Sequence, residues 1–459
     1  MTKEYRRSLF IFRRDLRVDD NTALNQALEL SEEVIPCFIF DPRLADEKRK
    51  HFNHNAFQFL LKCLGDLKTQ VEARGGYLFL FFGLPEKIIA GIKEETGIDA
   101  VFFNRDYTPF SRKRDNQISK TCSAMDIDVA CYHDALLHEP GTMLTGEGKP
   151  YVVFTPFFRK ASKAEVQLPA TQEGGRFYCA NTGLGQIDIS AFSSWDKNAL
   201  LFTKGARGHA LSVLQEVEDF KRYDNERDHP SIKGTTGLSA QNKLGTVSIR
   251  EFYHYVKEGL GPGHTLISEL YWRDFFTNIA ISFPYVFGNA FKSKFDNLSW
   301  SDDEGLFNAW CKGQTGFPIV DAGMRELNST GYMHNRVRMI VASFLVKDLH
   351  LDWKWGERYF ASKLVDYDPC VNNGNWQWAA STGADSQPYF RIFNPWTQQR
   401  KFDKECLYIK KWVPELKDLD PKLIHALEKN APPASTGYPV RILDHKVERK
   451  RALDIFGSV

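Results

Sequence analysis

The sequence has few features of a secreted, metal-binding or membrane-spanning protein. Its eight cysteines are scattered over 459 residues, with no CxxC pair and no histidine partner at zinc-site spacing. This distribution argues against a disulfide framework and a structural zinc site, and it is typical of a reducing cytoplasm. No apolar run approaches the roughly 20 residues that span a bilayer, and the charged N-terminus does not resemble a signal peptide. We therefore expect a cytoplasmic protein with no metal site and no membrane association.

A large excess of charge of one sign is also absent, since 60 Lys and Arg residues against 58 Asp and Glu leave a net charge of +2. The total charge therefore does not require a nucleic-acid partner, although it permits a local basic face. The first part of the chain lacks GxGxxG and GxxxxGK[ST], which excludes the usual dinucleotide and P-loop sites there. Internal repeats and low-complexity tracts are missing as well. At this length, two domains are expected.

Short apolar runs alternate with amphipathic stretches in the first 130 residues. The runs are Leu9–Phe12, Val34–Phe40, Tyr77–Phe82 and Ala100–Phe103, with helical patterns near residues 52–72 and 84–96. Continuous apolar runs of this kind are typical of a parallel sheet buried on both faces. We predict an α/β doubly wound parallel-sheet domain over residues 1–134, a Gly-, Pro- and Ser-rich connector over 135–200, and an all-α domain over 201–459.

The helical half contains polar residues that a plain core does not require. Asn335, Arg338 and Met339 lie at i, i+3 and i+4, so an amide, a cation and a thioether share one face of a predicted helix. Asp366 follows 28 residues after Arg338. From spacing alone, the simplest interpretation is an ordinary buried ion pair between Arg338 and Asp366, with the nearby tryptophans filling a core.

Four strings read together resemble the photolyase and cryptochrome family, most closely its class I members that act on cyclobutane pyrimidine dimers. The strings are Phe12-Arg13-Arg14-Asp15-Leu16-Arg17, residues 315–325, residues 335–354, and residues 372–378 with 388–395. The resemblance runs from about residue 8 to Leu453, and its strings are too long to agree by chance. It implies an N-terminal antenna domain and a C-terminal helical domain that encloses a U-shaped FAD, active in the reduced form FADH⁻.

The resemblance also implies which residues hold FAD. On the adenine and phosphate side these are Tyr223, Thr235, Thr236, Gly237, Leu238 and Ser239. Around the isoalloxazine and ribityl groups they are Arg273, Arg338, Asp366, Asp368 and Asn372. Backbone N–H groups near a helix start suit a pyrophosphate, and a guanidinium beside the flavin stabilises its reduced anion. Some relatives carry Arg where this chain has Gly237, so another residue is expected to supply one phosphate contact.

The implied lesion pocket favours dimer repair. Glu269 and Trp272 lie at i and i+3, and the resemblance makes them the hydrogen-bonding carboxylate and one aromatic wall for a flipped pyrimidine pair. Trp378 would form the second wall, and Asn335 and Met339 the floor. The related (6-4) photolyases are expected to carry His in this region.

Asn372 and the C-terminus also separate repair from signalling. Resembling photolyases carry Asn at the position of Asn372, whereas cryptochromes are expected to carry Asp or Cys. The sequence continues for about six residues beyond Leu453, so we expect no long signalling tail. Both features favour a repair enzyme.

Further roles follow from the same resemblance. Trp300, Trp353 and Trp376 match the three tryptophans that carry electrons to photoexcited oxidised flavin. Positions expected to contact DNA are Arg227, Arg336 and Gln398, with Lys292 and Lys294 as weaker candidates.

The second chromophore is less determined. Asn104, Asp106, Pro109 and residues 112–115 resemble a chromophore-lining segment. Folate-binding relatives tend to carry Asn-Glu where this chain has Phe110-Ser111, so a deazaflavin or an empty site is favoured over folate.

The sequence thus predicts light-dependent repair of cyclobutane pyrimidine dimers by electron transfer from excited FADH⁻, in an enzyme that acts as a monomer on UV-damaged DNA. Formally it would be a carbon-carbon lyase, a deoxyribodipyrimidine photo-lyase. A cryptochrome-type blue-light receptor and a (6-4) photolyase remain alternatives. A plain nucleotide-binding module is a more remote one.

Overall fold

The computed structural model describes residues 3–49, 51–180, 186–195, 197–203 and 205–459. Five strands form one parallel sheet: β1 (Tyr5–Phe12), β2 (Ser31–Phe40), β3 (Phe79–Phe82), β4 (Ala100–Asn104) and β5 (Asp128–Tyr132). Their order is β3-β2-β1-β4-β5, so the chain winds outward from β1 in both directions. The predicted doubly wound sheet is confirmed. The sequence did not single out β5, whose residues are exposed or only partly buried.

Helices cover both faces of this sheet. They are α1 (Thr22–Leu30), α2 (His54–Ala73), α3 (Pro85–Thr96) and α4 (Pro109–Ser123). Alternate residues of β1 point to opposite faces: Phe10 and Phe12 pack with α1 and α2, whereas Leu9 and Ile11 pack with α3 and α4. Burial on both faces explains why the strands read as continuous apolar runs.

The rest of the chain is helical. The helices are α5 (Phe154–Ala161), α6 (Arg207–Gln215), α7 (Tyr223–Glu226), α8 (Ser239–Leu244), α9 (Ile249–Leu260), α10 (Thr265–Ser282), α11 (Glu304–Lys312), α12 (Pro318–Thr330), α13 (Asn335–Lys347), α14 (Trp353–Lys363), α15 (Pro369–Ala380), α16 (Pro395–Phe402), α17 (Leu407–Trp412), α18 (Pro421–Ala426) and α19 (His445–Gly457). Short 3-10 turns lie at Ile189–Trp195, Val217–Phe220, Pro284–Val286, Ser293–Asn297, Pro414–Leu416 and Ala434–Thr436.

The predicted connector, residues 135–200, is not wholly irregular. It contains α5, whose Phe154 and Phe157 are buried against α10. Weak periodicity hid this helix because it is only eight residues long. Residues 181–185 and 196 of this stretch lie outside the described residues. The proposed boundaries at 134 and 200 remain predictions.

Helix α15 lies at the centre of the helical half, where it packs against α10, α13 and α14. Two glycines permit this close approach. A Cβ on Gly374 would come within 2.3 Å of the Phe276 ring in α10, and one on Gly356 in α14 would come within 2.1 Å of the Trp376 ring. Because there is no room for a side chain at either glycine, these close contacts fix the position of α15.

Within the described ranges, no helix is long and apolar enough to cross a bilayer. In the same part of the chain, no group of three or more His, Cys, Asp or Glu side chains is placed to hold a metal ion.

The contact between α14 and α15 gives a test of this packing. Gly356→Ala is expected to lower the free energy of unfolding by about 1–3 kcal/mol, because the added methyl group must displace the Trp376 ring. Gly208→Ala in α6 is the matched control, since a Cβ there meets nothing within 4 Å. It is expected to be neutral or stabilising by up to about 1 kcal/mol. Urea unfolding measures both, and equal effects would contradict the packing described.

Candidate active site

The predicted pairing of Arg338 with Asp366 is present and joins three elements. The Nη2 of Arg338 in α13 lies 2.8 Å from the Oδ2 of Asp366, which precedes α15. The hydroxyl of Ser239, the first residue of α8, donates to the same oxygen at 2.6 Å. Burial opposes the charge on Arg338, but Asp366 outweighs it and raises the pKa of the guanidinium. The guanidinium therefore stays charged, and the Asp366 oxygen links α8 to α13.

Two polar atoms of the predicted FAD residues are buried without a hydrogen-bond partner. They are the Oδ1 of Asp366 and the Nη1 of Arg273, which lies in α10. Burial lowers the pKa of Arg273, whose nearest carboxylate, Asp274, is 3.8 Å away. Unsatisfied buried groups are costly, and they mark a place where a ligand completes the hydrogen bonding. A ligand with N–H donors and anionic groups, such as FAD, fits an orphaned carboxylate oxygen and an orphaned guanidinium.

Asp368 starts α15 and fixes its direction. Its Oδ1 accepts hydrogen bonds from the backbone N–H groups of Cys370 and Val371, at 3.0 and 3.2 Å. The guanidinium of Arg14, from the loop after β1, lies 2.5 Å from its Oδ2. Burial alone would raise the pKa of Asp368, but Arg14 and two further cations hold it well below its usual range.

One turn into the same helix lies Asn372. Its Nδ2 donates to the Oε1 of Glu357 at 2.9 Å, which leaves the Oδ1 of the amide as an acceptor for a ligand. Burial raises the pKa of Glu357. The partner of this amide is therefore a carboxyl group that the sequence analysis did not predict.

The glycine and threonine segment lies directly before α8. Gly237 has φ +67°, a left-handed conformation that favours glycine, so an arginine at this position would be strained. The N–H of Leu238 donates to the Oγ1 of Thr236 at 3.4 Å, and Leu238 is buried. Thr235 is partly buried, and Tyr223 is buried below Arg227, whose guanidinium lies 5.6 Å from the tyrosine ring.

The predicted lesion residues come from three packed helices. On α10, Glu269 is paired with Arg227 at 2.5 Å, and Trp272 stacks on Phe154 with a centroid separation of 3.6 Å. On α15, Trp378 packs against the same core cluster as Trp272. Burial raises the pKa of Glu269, whereas Arg227 opposes this shift. Glu269 and Trp272 therefore share one face of α10, and both indoles pack on one core cluster.

The floor residues lie at the start of α13. Asn335 is exposed, and its Nδ2 lies 3.9 Å from the Sδ of Met339 one turn later. The predicted common face of these two residues is confirmed. Their contact with a lesion stays a prediction.

Residues predicted to contact DNA have protein partners here. Arg336 pairs with Asp228 at 2.7 Å, and its guanidinium lies 4.5 Å from the Phe402 ring in α16. On the same helix the Oε1 of Gln398 is buried without a partner. Of the weaker candidates, Lys292 donates to Ser386 at 2.8 Å and Lys294 to the carbonyl of Val459 at 3.2 Å.

The three predicted electron-transfer tryptophans belong to one core cluster. Trp353 and Trp376 are buried in it and Trp300 lies at its edge. Ser301 donates to the carbonyl of His350 at 2.7 Å, which brings Trp300 beside the segment that leads into α14. The ring neighbours of Trp376 are Phe360 at 5.0 Å and Trp310 at 6.2 Å. A role in electron transfer stays a prediction.

Two cavities accompany the sheet. One of about 570 Å³ lies at the carboxyl ends of β2 and β3, and Pro42, Ala45, Lys48, Phe82 and Phe192 are among its lining residues. A second of about 440 Å³ lies beside α4 and is lined by residues that include Tyr107, Pro109, Arg112, Lys113, Asn116 and Pro284.

The predicted chromophore segment is therefore divided. Pro109 and Arg112 line the second cavity, whereas the Asn104 side chain hydrogen-bonds Asp15 and Asn21 in the interior.

Four partners of the predicted residues were missed from the sequence. Arg14 pairs with Asp368, and Asp228 pairs with Arg336. Phe154 stacks on Trp272, and Glu357 accepts a hydrogen bond from Asn372. The first three are separated from their partners by more than 100 positions, so no local spacing signals them. Glu357 lies 15 residues before Asn372, on the preceding helix, where helical periodicity gives no hint of the contact.

Comparisons with known proteins fit this geometry. The FAD binding domain of DNA photolyase matches residues 266–458, and the DNA photolyase family matches residues 8–173. A deoxyribodipyrimidine photo-lyase of Agrobacterium fabrum is 37% identical, over 98% of this chain and 97% of its own length.

Solved structures agree with these matches. An archaeal photolyase of Sulfolobus tokodaii with two FAD molecules is 42% identical, with a TM-score of 0.90 over 99% of this chain and 100% of its own. A Synechocystis cryptochrome is 27% identical, with a TM-score of 0.89 over 99% and 100% of the two chains.

The chain therefore belongs to the DNA photolyase family, within which its helical half is an FAD-binding domain. More particularly, it is an enzyme of the photo-lyase class and serves DNA repair. The predicted family, enzyme class and FAD cofactor are confirmed.

His334 provides a pH test of the site. It caps α13 by accepting from the N–H of Arg336, and burial lowers its pKa from 6.5 to about 4. The unfolded chain binds this proton more readily, so the free energy of unfolding should fall as pH drops from 6.5 towards 4. His334→Asn keeps a capping acceptor and removes the titration.

The expected result is a shallower pH dependence of stability in this window, by roughly one proton. Urea unfolding at several pH values measures it, with His209→Asn at an exposed position as control. An unchanged slope in His334→Asn would contradict a buried, neutral imidazole.

Proposed function

We propose that the enzyme repairs cyclobutane pyrimidine dimers in UV-damaged DNA under light. The observation that carries the proposal is that Glu269 and Trp272 share one face of α10, that Trp272 and Trp378 pack on the same core cluster, and that the same helical half holds the unsatisfied atoms that fit FAD. The relatives' names support it, since the Agrobacterium fabrum and Escherichia coli enzymes are deoxyribodipyrimidine photo-lyases. Bound reduced FAD would supply, on illumination, the electron that opens the cyclobutane ring and would take it back.

The protein's own residues bind and orient the lesion. Trp272 and Trp378 offer flat apolar surfaces for two pyrimidine rings that have left the duplex stack. Glu269 presents carboxyl oxygens to the N–H and carbonyl edge of the pyrimidines. Asn335 and Met339 add an amide and a thioether that suit the polar and apolar parts of the same ligand. The pocket thus combines the two kinds of contact that a damaged base pair needs.

Arg227 links DNA binding to this pocket. In the free protein it is paired with Glu269, and both side chains are about one third exposed, at 33% and 36%. A DNA phosphate competes for the guanidinium, which leaves Glu269 free for the lesion. Without Arg227, burial raises the pKa of Glu269 further and favours a carboxyl group that can also donate a hydrogen bond.

Glu269 and Arg336 separate lesion recognition from general DNA binding. Glu269→Gln keeps the shape of the side chain but removes its charge, and it is expected to slow repair about tenfold or more while binding to undamaged DNA changes little. Arg336→Met is expected to weaken binding to damaged and undamaged DNA alike and to lower the salt dependence by about one ion. Recovery of thymine absorbance in irradiated oligothymidylate measures repair, and fluorescence anisotropy measures binding.

Equal effects of both variants on repair, with binding untouched, would contradict these roles. A cryptochrome-type receptor is the second candidate, because the Synechocystis cryptochrome has the same fold. If the illuminated wild-type protein restores no thymine absorbance, the repair proposal fails in favour of signalling. Repair of a (6-4) lesion alone would reassign the substrate.

We also propose that the 570 Å³ cavity holds the second chromophore. It lies where parallel α/β sheets commonly bind ligands, beyond the carboxyl ends of the strands, and its lining includes Phe82 and Phe192. The Sulfolobus tokodaii photolyase, which holds two FAD molecules, supports a flavin-like occupant over folate. A deazaflavin shares the same tricyclic shape.

The chromophore content tests this assignment. Acid extraction of the purified protein is expected to release more than one tricyclic chromophore per chain, identified by fluorescence and mass. Ala45→Trp, which fills the cavity, is expected to lower the ratio to one and leave the catalytic FAD in place. A ratio of one in the wild-type protein, or an extracted folate, would contradict the assignment.

A further inference from the structure

The loop after β1 reaches across to the elements that surround the orphaned atoms. The N–H of Leu16 donates to the carbonyl of Leu244 at 2.9 Å, and Arg17 donates to the carbonyl of Gly245 at 3.1 Å. Both acceptors lie at the end of α8. A Cβ on Gly245 would come within 2.4 Å of the carbonyl oxygen of Arg14. This loop is therefore pressed against the helix that begins with Ser239.

Arg14 extends from the same loop to α15. Its guanidinium bridges two carboxylates, with Nη2 at 2.5 Å from Asp368 and Nη1 at 3.3 Å from Asp106. The side chains of Arg14 and Asp368 are only 11% and 9% exposed. Arg14 and Asp368 are 354 positions apart, so this contact joins the sheet to the helical half. No other side chain is recorded in an ion pair with Asp368 in the described part of the chain.

Three cations, one of them Arg14, surround the Asp368 carboxylate. Lys243 and Arg273 are the other cations near Asp368, and the Nη1 of Arg273 has no hydrogen-bond partner. Burial lowers the pKa of both Lys243 and Arg273. Removal of Arg14 would leave Asp106 and Asp368 facing each other with weaker compensation, because burial makes their repulsion strong. The Asp368 side chain would then turn away from Asp106.

This change would disturb α15 at its first turn. Asp368 caps this helix through Cys370 and Val371, and the helix carries Asn372, Trp376 and Trp378. We propose that Arg14 is a positioning residue of the flavin site, which sets α15 from the sheet domain and adds a buried cation beside the flavin. The inference rests on the proposed placement of FAD next to Asp368 and Asn372. The residue does not touch the reacting atoms and acts through Asp368.

Two measurable consequences follow for Arg14→Met. Affinity for FAD should fall roughly tenfold, the size expected for the loss of a coupled buried charge pair. The midpoint potential of the bound flavin should become more negative, since one positive charge that favours the reduced anion is lost. Arg14→Lys keeps the positive charge but not the planar guanidinium that reaches both carboxylates. Its flavin potential should stay close to that of the wild type, and its FAD affinity should fall less than in Arg14→Met.

Arg13 gives the matched control. It is the neighbouring residue, its side chain is 8% exposed, and it also pairs with an aspartate, Asp115, at 2.9 Å. Its guanidinium lies 3.9 Å from the Phe103 ring, so its contacts stay within the sheet domain. Arg13→Met should cost comparable folding stability and leave flavin affinity and potential unchanged.

The experiment compares wild type, Arg14→Met, Arg14→Lys and Arg13→Met as full-length proteins. FAD affinity is measured by titration of the apoprotein with fluorescence detection, and the potential by spectroelectrochemistry of the reconstituted protein. The inference is supported if only the Arg14 variants change both quantities. It is overturned if Arg14→Met and Arg13→Met have the same FAD affinity and the same potential. If Arg14→Met does not fold, the same comparison is made between Arg14→Lys and Arg13→Met.

The outcomes distinguish this inference from the proposed function. A wild-type protein that repairs dimers while Arg14→Met keeps normal flavin affinity and potential would overturn only the inference. A wild-type protein that binds FAD and fails to repair would overturn the proposed function, and the role of Arg14 would still be measurable from affinity and potential. Loss of FAD binding in the wild type would overturn both.

Discussion

Two carboxylates in one short segment, Asp366 and Asp368, must be neutralised where they are buried, and much of the site follows from that requirement. A buried charge without a partner is expensive, so each carboxylate requires a cation from another element. Arg338 comes from α13 and Arg14 from the sheet domain. The elements that supply these cations enclose the space beside α15. The same electrostatic requirement therefore organises the fold and forms the cofactor site.

The polar atoms that these ion pairs leave without a hydrogen bond give the site its chemical character. One oxygen of Asp366 and one nitrogen of Arg273 remain unsatisfied, and the Asn372 amide keeps its oxygen. The site is thus rigid where charges are paired and open where hydrogen-bonding capacity is left over. On the side proposed to face DNA, by contrast, Arg227 and Arg336 have carboxylate partners that are about one third exposed. Such pairs are weak in water and exchange readily for phosphate.

The sheet was predictable from the sequence because burial on both faces leaves uninterrupted apolar runs in its strands. The helical faces of Glu269 with Trp272 and of Asn335 with Met339 were predictable too, since spacing alone places residues three and four apart together. In α5, β5 and α1 the apolar signal was too short or too mixed to recognise. For the site, residue types and family strings were informative, but tertiary pairing was not. Nothing in the local sequence connects Arg14 with Asp368 or Phe154 with Trp272.

Helix α15 carries three of the proposed functional side chains within seven positions. Asn372 and Trp376 are one turn apart, and Trp378 projects from another side of the same rod. Glycine contacts clamp this rod between α10 and α14. Any tilt or rotation of the backbone would therefore alter the proposed cofactor site, the tryptophan core and the proposed lesion wall simultaneously. Selection or engineering can adjust one of them alone only by replacing individual side chains, never by moving the helix.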